Sequence, residues 1–153
     1  MTAIEELLIE HACLKLMTAY NVRLDNGDHE GFAEVFTEDG IWKQLNEPLI
    51  EIKGRQRISK FALNLPKAKI NRHMLLNPLV TVLDRDHAEG FCIGLVVDGP
   101  AGDGTLPVPV SSGGVELVAE YRDVYRRDAD GWHIARREMT RIMDQKALVD
   151  GPD

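Results

Sequence analysis

Hydrophobic residues recur at helical spacing over residues 2–24, at Ile4, Leu7, Leu8, Leu14 and Met17, and predict a long N-terminal helix. Thr2 followed by Glu5 is a capping-box pair and sets its start. Asn26-Gly27 ends it, because both residues tolerate a positive φ. Asp28 then caps a second, short helix carrying Phe32, Ala33, Val35 and Phe36. Glu38-Asp39-Gly40 reads as a turn, and residues 41–44 and 49–53 read as a short hairpin around Asn46-Glu47-Pro48. Residues 54–65 form a third helical pattern, with Ile58, Phe61, Ala62 and Leu65 on one stripe, and Pro66 stops it.

Beyond Pro66 the hydrophobic period changes from helical to two. Strands are predicted over residues 70–83, 88–97, 115–127 and 132–143, with turns at Asp84-Arg85-Asp86 and at residues 128–131. The stretch 98–114 is rich in Gly, Pro and Ser and is too long for a tight turn, so a loop is expected there, either a mobile loop or a lid. The tail from Asp150 is expected to fray. Helices first, then a run of antiparallel strands, is the α+β pattern. A strongly curved sheet packed on a long helix has a concave interior, where small ligands bind.

The 153 residues suit one domain with a substantial core. With 44% hydrophobic and 28% charged residues, the chain has the balance of a soluble globular protein rather than a disordered one. A net charge of -7 argues against nucleic acid as a partner, because phosphate binding calls for a basic face. Cys13 and Cys92 sit among apolar neighbours with no pairing motif, which predicts two buried thiols in a reducing compartment. The first ten residues carry acids where a signal peptide carries bases, and no apolar run is long enough to span a bilayer. A cytoplasmic protein without a membrane association is expected.

His73 is the first candidate for chemistry. It stands on a predicted strand, so His73, Leu75 and Asn77 share a face, an imidazole and an amide on one wall. Histidine titrates near neutrality and suits proton transfer. Asp25 closes the first helix, where the helix dipole disfavours an acid, a placement that calls for a partner. Asn21 lies one helical turn before Asp25, and Tyr20 next to it carries a hydroxyl able to donate to a substrate oxygen. Arg136 and Arg137 are adjacent on the last strand, so one of them points inward and needs an acceptor; periodicity does not say which. Leu63, Met74, Leu95 and the 98–114 loop are expected to shape a pocket. His11, His29, His87 and His133 have no metal-ligand spacing, and there is no HExxH, CxxC, GxGxxG or P-loop pattern. No metal and no cofactor are expected.

Three segments carry a family resemblance. YNVRLDNGDHEGFAEVFTEDGIW from Tyr20, NRHMLLNPLVTVLDRDHAEG from Asn71, and EYRDVYRRDADGWHIARREM from Glu120 follow one another in order. They resemble the opening, the histidine strand and the closing hairpin of the SnoaL-like, NTF2-like superfamily. That resemblance implies a cystatin/NTF2-like cone: a curved mixed, mainly antiparallel sheet wrapped around N-terminal helices and enclosing a pocket. The chain is similar to scytalone dehydratase and hexachlorocyclohexane dehydrochlorinase, cofactor-free lyases whose histidine base is held by an aspartate. The resemblance carries the base to His73, its aspartate to Asp25, a pocket tryptophan to Trp42 and a strand arginine to Arg137. Where the dehydrochlorinase has a pocket lysine this chain has Tyr20, which suits an oxygenated substrate better than a chlorinated one.

The resemblance thus implies a lyase or isomerase acting on a small apolar or aromatic oxygenated compound. His73 and Asp25 would be catalytic, and Tyr20, Trp42, Asn77 and Arg137 would bind substrate. It also implies a homo-oligomer, dimer or trimer, assembled through the outer sheet face. The same superfamily contains the non-catalytic small subunits of aromatic-ring-hydroxylating dioxygenases and small-ligand-binding proteins, which are the alternatives.

Overall fold

The computed structural model describes residues 1–65, 69–100 and 112–145. Helix α1 (Ala3–Asp25) is followed by α2 (His29–Glu34), β1 (Phe36–Gln44), β2 (Ile50–Lys53), α3 (Arg55–Leu63), β3 (Lys69–Val82), β4 (His87–Pro100), β5 (Gly114–Asp128) and β6 (Gly131–Asp144). The capping box is formed at the start of α1: the Glu5 N–H donates to the Thr2 hydroxyl, and the Thr2 N–H donates to the Glu5 carboxylate at 2.7 Å. Asn26 caps the other end and Gly27 turns the chain at φ +71°.

The six strands form one sheet in the order β2-β1-β6-β5-β4-β3. Every pairing is antiparallel except β1 with β6, which is parallel, so the sheet is mixed and mainly antiparallel. The core lies between α1 and the inner face of the sheet. Ile9, Cys13, Met17 and Tyr20 of α1 meet Ala88, Cys92, Ala119, Tyr121, Tyr125, Ile134 and Met139 from β4, β5 and β6. Glycine is required where side chains cross this layer: a Cβ at Gly94 would stand 2.5 Å from the Tyr121 ring. Cys13 and Cys92 are both buried and free.

Several details depart from the sequence expectation. The second helix ends at Glu34, and Phe36 to Gly40 belong to β1 rather than to a helix end and a turn. The Ile134 N–H donates to the Val35 carbonyl at 2.8 Å, so β6 captures this segment by pairing. A register shift between Phe36 and Ile41 absorbs the acidic stretch. Gly40 fits there because a Cβ would meet Phe36 Cβ at 2.8 Å and the Thr37 carbonyl at 2.9 Å. β4 runs on to Pro100, which places Asp98 and Gly99 in a strand. Residues 101–111 of the expected loop, Pro66 and the tail from Asp150 lie outside the described residues.

Asn77 is also displaced from its expected face. β3 changes register against β4 between Leu76 and Leu79, Asn77 takes a φ of +50°, and its side chain is exposed. Pro78 has no N–H for the ladder, and asparagine tolerates the left-handed conformation, so a bulge forms here. Met74 and Leu95 pair side by side on the outer face, opposite to His73, because adjacent strand residues alternate.

Candidate active site

Asp25 is the last residue of α1, and His73 stands mid-way along β3, which packs beside that helix. The His73 backbone N–H donates to Asp25 Oδ2 at 2.9 Å, and His73 Nδ1 meets Asp25 Oδ1 at 2.5 Å. One carboxylate therefore fixes both the strand position and the ring. A carboxylate only accepts, so Nδ1 carries the proton and the Nε2 lone pair is left for chemistry. Among the described residues Nε2 has no hydrogen-bond partner. The two side chains are 15% and 10% exposed, enclosed but reachable.

Tyr20, Trp42 and Arg137 come together deeper in the core. Trp42 Nε1–H donates to the Tyr20 hydroxyl at 2.9 Å, and Trp42 lies against Phe61 with ring centroids 5.1 Å apart. Arg137 is the inward member of the pair, and Arg136 lies on the outer face. Arg137 Nε and Nη2 donate to the two oxygens of Asp123, each at 2.7 Å. The guanidinium carbon sits 4.1 Å from the centre of the Tyr20 ring and 5.0 Å from that of Tyr121. Burial works against this charge, but Asp123 outweighs it and holds the guanidinium ionised. Burial also pushes the Tyr20 hydroxyl up, against the pull of Arg137, so it remains a neutral phenol.

Asp123 is the core residue that the sequence reading missed. It accepts from Arg137 and also from the Tyr125 hydroxyl at 2.7 Å. Its signal was present: Tyr121, Asp123 and Tyr125 alternate along one strand, and the only charge in that row faces Arg137 across the ladder. Of the six site residues expected, His73 pairs with Asp25, Tyr20 joins Trp42 and Arg137, and Asn77 lies apart from both groups.

A cavity of about 400 Å³ opens between α1, α2 and the start of β6, lined by Lys15, Leu16, Arg23, Glu34, Arg55 and His133 among others; its walls include neither His73 nor Asp25. Among the described residues no group of three or more His, Cys, Asp or Glu side chains is placed to hold a metal ion. Nor is any helix there long and apolar enough to cross a membrane.

A mixed sheet folded over a long helix, with that helix ending in an acid held against a histidine, defines an α+β domain of the NTF2-like, cystatin-like class. Residues 5–138 match the SnoaL-like domain model, and the chain belongs to that family. A variant of a Mycobacterium tuberculosis protein of unknown function superposes with a TM-score of 0.76 at 24% identity, covering 99% of this chain and 82% of that one. An NTF2-like protein with a cystatin-like fold from Novosphingobium aromaticivorans gives 0.70 at 25% identity, covering 95% and 92%. A candidate scytalone dehydratase from the same organism gives 0.74 at 19% identity, covering 93% and 89%. No curated protein matches the chain.

Proposed function

We propose that the protein is a cofactor-independent lyase or isomerase, dehydratase-like, acting on a small apolar or aromatic oxygenated compound. The observation that carries this is the bond between Asp25 and His73 Nδ1. Asp25 orients the ring and stabilises the imidazolium, while Nε2 takes a proton from a carbon beside an electron-withdrawing group. The fold-level likeness to a candidate scytalone dehydratase supports the same chemistry. Tyr20 and Trp42 form a hydrogen-bonded pair within the aromatic core. Arg137, sealed by Asp123, steadies that core rather than meeting substrate.

The substrate test is a panel of small aromatic β-hydroxy ketones, followed for loss of water and for solvent deuterium uptake. One member should turn over, and His73→Ala should cut its rate by about 10²–10⁴-fold while the protein still folds, as read by circular dichroism. A His73→Ala protein as active as the native one contradicts the base. A native protein that turns over no member of the panel favours a ligand carrier or a non-catalytic dioxygenase subunit.

The outer sheet face supports self-association. Met74, Leu95, Val118 and Met143 line up as one apolar row across β3, β4, β5 and β6. Met74 is 41% exposed and Met143 65%. A homo-oligomer, dimer or trimer, covers this row. Sedimentation of the native protein and of Val118→Lys should show an oligomer that the lysine dissociates.

A further inference from the structure

The cleft of about 400 Å³ between α1, α2 and the start of β6 is separate from the His73 chemistry, since neither His73 nor Asp25 lines it. Its volume falls in the range that holds small organic molecules. One wall follows from the spacing of α1. Lys15, Ala19 and Arg23 stand four residues apart and form one row along the helix, about 12 Å from first to last. Ala19 is the small member of that row, so space is left over it between two cations. Leu16 and Val35 add apolar wall to the same cleft.

Apart from the exposed Lys15, the charges of the lining are sorted by depth. The acids stand outermost, Glu34 64% and Asp130 73% exposed, whereas Arg23 is 37% and Arg55 24% exposed. His133, the remaining titratable residue of the lining, lies 3.8 Å from Asp130. Arg55 is committed: its Nε and Nη2 donate to the Phe36 carbonyl at 3.0 and 2.5 Å, and its Nη1 donates to Glu38 at 2.7 Å. Arg23 is committed on one side only. Its Nη1 donates to the Gly31 carbonyl and, at 3.4 Å, to Glu34, and its Nε lies 4.0 Å from Asp28. Its Nη2 has no acceptor among the described residues, and Lys15 has no acid partner there. Lys15, Arg23 and Arg55 thus face two acids, in a protein whose net charge is -7. Unused donors at both ends of an alanine gap fit a ligand with one negative charge.

We propose that this cleft binds a small organic monocarboxylate. Arg23 Nη2 and the Lys15 ammonium donate to the carboxylate, and the apolar body of the ligand lies over Ala19 against Leu16 and Val35. A neutral ligand leaves the two donors unused, and a bare ion leaves the apolar wall uncovered. The site does not depend on His73 acting as a base.

The probe is benzoate, with benzamide as its neutral counterpart, followed by backbone amide shifts of the full chain at low salt. Benzoate should move the amides of Leu16, Ala19, Arg23 and Val35 saturably, with a Kd on the order of 1 mM, and benzamide should not. Lys15→Glu changes an exposed side chain and should weaken benzoate about fivefold, while Lys15→Arg should keep it. Ala19→Leu fills the gap with a good helix former and should abolish the shifts. Benzoate that moves only residues around His73 overturns the assignment. So does chloride or benzamide that moves the cleft amides as benzoate does, or a Lys15→Glu protein that binds benzoate as tightly as the native one. Should Ala19→Leu not fold, the two Lys15 variants decide.

Discussion

Arg137 and Asp123 face each other across β5 and β6 through two hydrogen bonds of 2.7 Å, with Tyr20 and Tyr121 against the guanidinium. The pair is 1% and 2% exposed, so removing one partner leaves a charge in the core. Arg137→Ala should cost about 3–5 kcal/mol, read by urea unfolding. Arg137→Met combined with Asp123→Leu should recover most of that, because a buried pair gives little net stability over apolar residues of similar size. A single variant as stable as the native protein would show that the pair is not sealed.

Gly94 is the point where the Tyr121 ring crosses β4. A valine there must displace the ring, whose Cε2 lies 2.5 Å from the Cβ position. Gly94→Val should lower stability by about 1–3 kcal/mol, and Gly94→Val with Tyr121→Leu should restore it. Equal losses in the single and double variants would contradict the contact.

The two thiols are silent in the native state. Burial pushes Cys13 up to about 12 and Cys92 up to about 11, from an ordinary value of 9.0. Both are neutral in the fold, so neither should react with a thiol reagent at pH 8 until urea unfolds the chain. Their folded values lie above the unfolded one. The stability they contribute is therefore complete below about pH 9 and is lost as the pH rises through the folded values. Native-state labelling at pH 8 as fast as in urea would contradict their burial.

The parts of the fold that were legible in the sequence are those specified locally. The Thr2–Glu5 box, the Asn26-Gly27 stop and the period-two runs from β3 onward rest on neighbours a few residues away. Phe36–Gly40 was not legible, because FTEDG has turn composition and becomes strand only through its distant partner β6. Asn77 was misplaced because one bulge reverses the parity of everything after it. Adjacency showed that one of Arg136 and Arg137 turns inward, but only the row holding Asp123 says which. Asp25 and His73 lie 48 residues apart, and no spacing rule joins them; the family resemblance named them, and the geometry shows the contact.

Asp25 holds His73 by Nδ1, and Nε2 is left to accept a proton. Nitrogen-15 spectroscopy of the imidazole tests it directly, in the native protein and in Asp25→Asn, above the histidine's titration. A neutral ring protonated at Nδ1 is expected in the native protein, and a shift toward the Nε2–H form when Asp25 becomes an amide. A native ring already protonated at Nε2, or one unchanged by Asp25→Asn, would contradict it.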